Sequence, residues 1–440
     1  MRRRLLWPLA LLLALASLPS WAGADPPTDG ELARDDQIAD LRRQLATVVD
    51  EVEKLRAQVA APEQSEELKS QNGFGPAASK VYSLTRGVSI GGYVEGHYAY
   101  QNLGNAASPN QVNLDREVLY LGYKFNDWIT WNSEIEFENG TTEKDGSVSV
   151  EFSTLDFLFE PEFNARVGVL LLPMGITNEV HEPPFTYSTF RPQVEQLIIP
   201  GTWSDYGAGF FGKIGEQLSY RIYVVDGLDA LGYESSGLRE GRQGASNALA
   251  KDLAVVGRLE WEPLEGLSVG GSYYTGGSGQ GQQMDISGTE FKVPKARTSI
   301  WELHSTYHWR GLTANGLFAQ ARVADAGELS ALFTAAGNQQ PVISRRMLGG
   351  YVEVAYDLIP LFAPGSEMSL EPFFRWEYLD TQNDVPLGFT ADRMWQQRVY
   401  VPGIQFKPIP NVVLKLDYRN VDDFAGKAGD QVDFGFGLVF

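Results

Sequence analysis

The stretch ITWNSEIEFE at residues 129–138 alternates between two kinds of side chain. Ile129, Trp131, Ile135 and Phe137 fall on one side of an extended chain, and the opposite side carries Thr, Asn and three Glu. Because successive side chains of a β-strand point to opposite faces, the stretch predicts a strand with one apolar face and one fully polar face. Such a strand suits a sheet whose outer face meets lipid and whose inner face meets water.

The same alternation recurs to the end of the chain, and it predicts sixteen strands. The links between these strands alternate between tight turns and long loops, which is typical of a barrel with short periplasmic turns and long external loops. The predicted fold class is therefore all-β, a transmembrane antiparallel 16-stranded β-barrel. The predicted strands are 87–101, 112–125, 128–139, 148–160, 164–172, 206–213, 218–226, 252–262, 266–275, 297–309, 311–323, 343–357, 366–379, 393–407, 411–421 and 430–440.

The composition excludes several other classes of protein. The 440 residues include 46 glycines and no cysteine, and the formal net charge is −20. The absence of cysteine excludes a disulfide scaffold and a cysteine-ligated zinc protein, and the acidic balance disfavours a nucleic-acid binder. The chain is predicted not to be an enzyme and to hold no cofactor.

The first 24 residues predict a secretory signal peptide. Three arginines at residues 2–4 precede an apolar run over residues 5–18, and small residues at 22–24 would admit a signal peptidase. The alternative is a membrane anchor, which is disfavoured because Pro8 interrupts a run shorter than the ~20 residues that span a bilayer. Export and a barrel together predict the outer membrane of a Gram-negative bacterium.

A short helical coiled coil is predicted in the periplasm, within residues 25–61. Apolar residues recur there at alternating steps of three and four, and charged neighbours leave only a narrow apolar stripe. Self-association into a trimer is expected, and the alternative is a single amphipathic helix that lies on the main domain. Polar residues 62–83 are predicted to be a linker to the barrel at 84–440. The heptad seam is Ile38, Leu41, Leu45, Val48, Val52, Leu55 and Val59.

The third long connection, residues 173–205, is predicted to fold inward and form a constriction. Sixteen strands enclose a lumen too wide for side chains to fill, so a water-filled channel is expected. The loop is rich in proline and in apolar side chains, which suits a packed loop, and its charges are mostly acidic. These charges are Glu179, Glu182, Arg191, Glu195 and Asp205.

Alternation also assigns charged residues to the lumen wall. Antiparallel pairing should bring Arg221 and Arg258 to a similar depth, with Arg166 beside them. The hypothesis is a transverse field between this basic patch and the acidic third loop, and the alternative is a set of ordinary solvated charges. The predicted basic residues are Arg116, Arg166, Arg221, Arg258, Arg375, Lys415 and Arg419, and the acidic ones are Glu134, Glu136, Glu302, Glu353 and Glu371.

The four histidines predict no metal site. His304 and His308 lie four positions apart on a strand, and a separation of roughly 13 Å is too long to chelate one metal. His97 and His181 have no cysteine or acid at ligand spacing along the chain.

The chain ends in VDFGFGLVF at residues 432–440, a period-2 apolar row that closes on Phe440. This row resembles the C-terminal signal by which the barrel-assembly machinery recognises outer-membrane proteins, so that machinery is an expected partner. The alternative is a buried last strand of a soluble domain.

Several stretches resemble the phosphate-selective porin O and P family of Gram-negative outer membranes. The resemblance implies a homotrimer of sixteen-stranded barrels that binds phosphate or polyphosphate through Arg and Lys at the constriction. The chain departs from that pattern, because its third loop holds Arg191 as its one basic residue. Besides the C-terminal row, the stretches are GGYVEGHYAY (91–100), DREVLYLGYKF (115–125), NDW (126–128), ITWNSEIEFENG (129–140), VGVLLLPMGITNE (167–179) and DYGAGFFGK (205–213).

The sequence therefore predicts an outer-membrane porin, a water-filled channel for passive diffusion of small hydrophilic or anionic solutes. Phosphate and polyphosphate are candidates through the resemblance. The expected partners are two further copies of the chain, outer-membrane lipid and small anions, with no nucleic acid. The alternative is a non-conducting outer-membrane tether or adhesive barrel that acts through its coiled coil or its loops.

Overall fold

A computed structural model describes residues 38, 40–51, 69–104, 110–140, 146–337, 342–426 and 429–440. The chain forms two compact units, Met1–Gln58 and Val59–Phe440. The predicted signal peptide at 1–24 lies outside the described residues. No helix in the described part of the chain is both long and apolar enough to cross a bilayer.

In the first unit, residues 40–51 form a helix, α1. Ile38 and three seam residues of α1, Leu41, Leu45 and Val48, are exposed to solvent. The rest of the seam, at 52–59, lies outside the described residues. The coiled coil and the number of helices in it stay predictions.

The second unit contains the sixteen predicted strands, closed into one antiparallel barrel. A separate two-stranded hairpin, β10 (Gln283–Ile286) and β11 (Thr289–Lys292), lies between the ninth and tenth of them. The barrel strands are β1 (Gly87–Gly104), β2 (Gln111–Lys124), β3 (Ile129–Glu138), β4 (Ser147–Glu160), β5 (Phe163–Leu171), β6 (Ser204–Ile214), β7 (Leu218–Val225), β8 (Ala254–Leu264), β9 (Leu267–Gly276), β12 (Thr298–Trp309), β13 (Leu312–Val323), β14 (Arg346–Tyr356), β15 (Ser369–Asp384), β16 (Gln396–Ile409), β17 (Val412–Asp423) and β18 (Gly429–Val439).

Strands that follow each other in the barrel pair directly, and the ends of the sheet meet. β1 pairs with β18, and the backbones of Gly92 and Phe440 exchange hydrogen bonds of 3.0 and 2.9 Å. The fold class predicted from the alternation is confirmed. The tightest predicted turn, between β12 and β13, consists of Arg310 and Gly311, whose φ values of 48° and 84° are those that a type I′ turn requires.

The outer face of the barrel is an apolar belt, as the alternation predicts. Phe137 on β3, Val148 and Val150 on β4, and Leu303 on β12 are all exposed. Exposed aromatic rings stack at the rim with the short turns, where the centroids of Phe163 and Phe210 lie 5.0 Å apart. An apolar band with aromatic rings at its edge is the surface that a bilayer accommodates.

The lumen is partly filled by the loops that enter it. L3, the connection 172–203, and L4, the connection 226–253, pack together through side chains such as Ile198, Trp203, Leu228 and Leu238. They share one core with inward-facing wall residues and with helix α3 (Ala326–Ala335). The open cross-section is therefore much narrower than sixteen strands alone would leave.

The segment before the barrel also packs inside it, which differs from the expectation of a linker over 62–83. Residues 62–68 lie outside the described residues, but Pro76–Ser83 form a helix, α2. Phe74 and Ala77 are buried against Tyr93, Phe152 and other wall residues. A run of small and apolar residues, Phe74 to Val81, makes this packing favourable, and the polar composition around it hides that signal. A second short helix, α4 (Ile359–Phe362), fills the connection between β14 and β15.

Candidate functional site

L3 crosses the lumen and binds several strands of the wall. The backbone N–H of Thr189 donates to Asp417 Oδ2 on β17 at 2.9 Å, and that of Gln193 donates to Glu377 Oε2 on β15 at 2.7 Å. Lys415 Nζ donates to Thr186 Oγ1 at 2.9 Å. These contacts fold L3 inward, in the place expected of a constriction.

Glu195 is the acid of L3 that accepts the most hydrogen bonds. Its Oε2 accepts hydrogen bonds from the backbone N–H groups of Ile176 (2.7 Å) and Thr177 (2.8 Å) and from the Thr177 hydroxyl (3.1 Å). Its Oε1 accepts from the Tyr351 hydroxyl on β14 at 2.6 Å. Burial raises the pKa of Glu195 above its usual range, and these donors partly offset that rise. Glu195 holds L3 in its fold and does not face a solute.

The other acids of L3 are also bound by the protein itself. Glu182 accepts from the backbone N–H of Ala77 in the first turn of α2, at 2.9 Å, where the helix dipole favours a carboxylate. Asp205 belongs to β6 and not to the loop 173–205 as predicted, because the ladder with β5 begins at Ser204. Its buried carboxylate accepts from the indole N–H of Trp203 at 3.2 Å.

The predicted transverse field between a basic wall patch and an acidic L3 is contradicted at Arg221 and Arg258. Arg221 and Arg258 are direct cross-strand partners, so the predicted common depth is confirmed. However, Glu179 of L3 lies against them, with its Oε2 3.1 Å from Arg221 Nη1 and 3.9 Å from Arg258 Nε. Charges in contact neutralise each other locally and cannot face each other across a channel.

Three of the predicted basic wall residues are buried inside the protein. Arg166 binds Asp156 at 2.7 Å and lies between the rings of Phe74 and Phe211. Arg375 lies 2.9 Å from Glu377 and 3.4 Å from Glu353, and Lys415 binds L3 as described above. Their inward direction follows the alternation, but the segment before the barrel covers Arg166, and L3 covers Arg375 and Lys415.

The remaining wall predictions also point inward, and most are paired. Arg116 binds Glu136 at 2.6 Å and Glu95 at 3.3 Å. Arg419 is half-buried, and its guanidinium lies 6.0 Å from the ring centroid of Phe190. The other acids contact neighbours: Glu302 meets His304 (2.8 Å), Glu371 meets Gln405 and Lys407, Glu353 meets Asn315 (3.3 Å), and Glu134 lies beside His181 (3.6 Å).

Three half-buried arginines of L3 and L4 form a group, here named the arginine cluster, of which the sequence analysis predicted only the first as a site residue: Arg191, Arg239 and Arg242. Arg239 and Arg242 each donate to the carbonyl of Gly201 at 2.6 Å, and Arg191 donates to the Thr202 hydroxyl at 3.0 Å. Burial, followed by the positive charges of Arg242 and Arg191, lowers the pKa of Arg239 to about 10. The guanidinium of Arg239 is thus close enough to those of Arg242 and Arg191 to be repelled by them, and it stays charged at neutral pH.

The arginine cluster is short of carboxylates. Among the described residues, its one ion pair is the one between Arg191 Nη2 and Glu95 Oε1, at 4.0 Å. Arg239 and Arg242 donate to carbonyl oxygens of the backbone. The sequence signal was present, since Arg239-Glu-Gly-Arg242 is a basic motif in a long loop, but nothing in the sequence brings L4 against L3.

Three of the histidines meet acids that are distant in the sequence, and for His97 and His181 this is contrary to the expectation. His97 Nδ1 lies 2.7 Å from Asp115 Oδ2, across the β1–β2 pair. His181 of L3 lies beside Glu134 of β3 and Glu151 of β4. Ligand spacing along the chain fails here because the barrel brings separate strands together. His304 Nε2 contacts Glu260, and its Nδ1 contacts Glu302.

Comparison with known proteins identifies relatives of this chain. No family model matches it. The chain is 37% identical over 380 residues to an uncharacterized protein of Aquifex aeolicus (strain VF5), and the match covers 84% of this chain and 83% of that protein. The two proteins belong to one family.

Solved structures show the same barrel. A high-pH structure of Pseudomonas putida OprB superposes with a TM-score of 0.54 at 10% identity, over 80% of this chain and 94% of that one. Salmonella typhi OmpF in complex with daunomycin gives 0.53 at 12%, over 81% and 98%. An anion-selective porin from Comamonas acidovorans gives 0.51 at 11%, over 81% and 100%. At these identities the likeness establishes the fold.

Proposed function

We propose that the protein is an outer-membrane porin that passes small anions by passive diffusion. The closed barrel and its apolar belt suit a bilayer, and the solved structures that share the fold include an anion-selective porin of Comamonas acidovorans and the outer membrane channel DcaP of Acinetobacter baumannii. The observation that carries the proposal is the arginine cluster, in which two loops hold three positive charges and neither Arg239 nor Arg242 forms an ion pair with a carboxylate among the described residues.

The preference for anions follows from the difference between paired and unpaired charges. The acids of L3 accept hydrogen bonds or ion pairs from the protein, so they contribute little to the field that a passing solute meets. Arg239 and Arg242 donate to neutral oxygens, and only Arg191 lies near a carboxylate, Glu95 at 4.0 Å, so within the described residues the arginine cluster keeps a net positive charge. In a narrow, partly dehydrated passage, fixed positive charges attract anions and repel cations.

Phosphate and polyphosphate are the finer form of this proposal. Arginine presents several N–H donors in a plane and binds phosphate oxygens in a bidentate manner. Three such groups, all bound to Gly201 or Thr202, suit a multiply charged oxyanion better than a chloride ion. The resemblance to phosphate-selective porins supports the same solute class, although the basic residues differ from that pattern, since two come from L4.

Planar lipid bilayers provide the test. The purified full chain should give stepwise conductance, and a KCl gradient should give a reversal potential on the anion side. Inorganic phosphate, added at constant ionic strength, should reduce the chloride current at lower concentration than sulfate does. Absence of conductance would contradict the proposal that the protein is a porin. A reversal potential on the cation side would contradict the preference for anions, and equal block by phosphate and sulfate would contradict the preference for phosphate.

A second candidate is a tether that acts through its N-terminal helix. The observation that favours it is the exposed apolar seam of α1, because a helix with one uncovered apolar stripe is stable in water when partner helices cover that stripe. Self-association through this seam, with a homotrimer as the expected assembly, is compatible with a conducting barrel. Cross-linking of the wild type and of a Leu41→Asp, Leu45→Asp variant tests it, because the variant should lose the trimer band if the seam joins the chains.

A further inference from the structure

Glu134, Glu151 and His181 form a compact group of ligand atoms inside the barrel. One atom from each side chain lies within 4.8 Å of the other two. His181 Nε2 is 3.6 Å from Glu134 Oε1 and 3.4 Å from Glu151 Oε2. The three side chains come from L3, β3 and β4, so the group joins the constriction loop to the wall.

All three residues are more than nine-tenths buried, with exposures of 0% for Glu134, 5% for Glu151 and 3% for His181. Within the described part of the chain, neither carboxylate has a hydrogen-bond donor, and His181 Nε2 has no hydrogen-bond partner. Two buried carboxylates without donors are strongly unfavourable unless a positive charge lies between them. The group therefore needs either a cation or a proton.

The geometry distinguishes these two solutions. A proton on His181 Nε2 would serve one carboxylate, at an N···O distance of about 2.7–3.2 Å. Both observed distances are longer than that, and they are nearly equal. A tetrahedral ion with bonds of about 2.0–2.1 Å holds its ligand atoms roughly 3.4 Å apart, which agrees with 3.4 and 3.6 Å.

Neighbouring backbone positions His181 and Glu151 as ligands of an ion. His181 Nδ1 lies 3.0 Å from the carbonyl oxygen of Asn178, and this contact places an N–H on Nδ1, so the neutral ring offers its Nε2 lone pair to an ion. Glu151 is the extra residue of a β-bulge, because Glu134 pairs with Phe152 and Ile135 pairs with Val150. At the bulge both Glu151 and the next residue, Phe152, are buried, whereas Val148 and Val150 are exposed.

We propose that Glu134, Glu151 and His181 bind a divalent transition-metal ion of the zinc class, which fastens L3 to β3 and β4. One neutral imidazole and two carboxylates are a donor set for Zn²⁺, whereas Ca²⁺ and Mg²⁺ prefer oxygen ligands alone. The two negative charges balance the ion. A water molecule or a lumenal anion completes the fourth position.

The test uses the full chain, folded in detergent, treated with a chelator and dialysed. Added Zn²⁺ should bind at one equivalent per chain, measured by elemental analysis after gel filtration. His181→Gln and Glu151→Gln should each weaken binding by at least about 100-fold, whereas His308→Gln, which removes an exposed histidine, should bind as the wild type does. Equal binding by His181→Gln and wild type, or no binding by the wild type at micromolar Zn²⁺, would overturn the proposal.

Co²⁺ in the wild type provides a measurement that needs no variant. A four-coordinate site of one nitrogen and several oxygens gives intense visible absorption bands, and a hexa-aqua or surface-bound ion gives weak ones. Strong bands that Zn²⁺ removes at one equivalent support the site. Weak bands in a correctly folded barrel, as judged by heat-modifiable migration, would contradict it even if the His181 variant does not fold.

Discussion

The acids of L3 and the arginine cluster carry opposite charges, and they differ in what they contact. Glu195 accepts four hydrogen bonds, two of them from backbone N–H groups. Arg239 and Arg242 converge on one carbonyl, which leaves most of their N–H groups without a carboxylate among the described residues. A sequence in which acids outnumber bases can therefore present a basic passage, because the field in a lumen depends on which charges the protein has already neutralised.

The largest effect on stability is expected when an acid that holds L3 in place is removed. Glu195→Ala removes a buried carboxylate that accepts three hydrogen bonds from L3 and one from the Tyr351 hydroxyl. These four donors are then left buried without their acceptor. We expect the free energy of unfolding to fall by about 3 kcal/mol. Urea titration in lipid vesicles measures it, and current noise in planar bilayers should rise as L3 loosens.

The control for this change is Glu290→Ala, which removes an exposed glutamate of the β10–β11 hairpin. It should alter the free energy of unfolding by less than about 0.5 kcal/mol. If both variants lose the same small amount, Glu195 is not an anchor of L3.

The second change addresses the arginine cluster. Arg239→Glu with Arg242→Glu reverses two charges beside the passage, and the anion-to-cation permeability ratio should fall by at least about tenfold, equivalent to about 1.4 kcal/mol. Reversal potentials in a KCl gradient measure the ratio. Because these residues also bind Gly201, Arg239→Lys with Arg242→Lys is the matched control and should preserve most of the selectivity. A ratio that the Glu variants leave unaltered would remove the basis for anion preference.

The third change tests the ion pair between Glu179 of L3 and Arg221 of the wall, whose charges neutralise each other. Arg221→Gln with Glu179→Gln removes an ion pair at constant net charge. We expect the permeability ratio to alter by less than about twofold, since a contact pair contributes little to the field at a distance. The same reversal-potential measurement applies, and a shift as large as that of the arginine-cluster variant would show that the pair does face the solute.

The sequence predicted the wall of the molecule much better than its interior. Alternation along a strand is local, so ITWNSEIEFE at 129–138 and the other strands could be recognised with their inward and outward faces. The contacts of L3 are not local. Glu195 contacts residues of L3 almost twenty positions away and Tyr351 of β14, and the partners of Arg239 and His181 lie on other loops and strands. No period in the sequence records those distances.

Glu151 shows the limit of the alternation itself. Strict period-2 counting from Val148 and Val150 leaves Glu151 inward but then assigns Phe152 to the outer face, and the structure buries both because β4 carries a bulge. A bulge resets the phase of a strand. Its position depends on the register with β3, which only the paired sheet determines.

The smallest expected effect concerns the titration of Glu195 in L3. Its pKa is raised by burial, so the folded state binds a proton more readily than the unfolded chain does. Its contribution to stability should therefore be fully present below about pH 4.5 and should decline as the pH rises through the raised pKa, with a slope of at most about 1.4 kcal/mol per pH unit. Glu195→Gln keeps an acceptor oxygen but cannot titrate, so the difference in unfolding free energy between wild type and variant should depend on pH in that window. A difference that is constant with pH would mean that the carboxylate of Glu195 has an ordinary pKa, and that its four donors offset the whole cost of burying its charge.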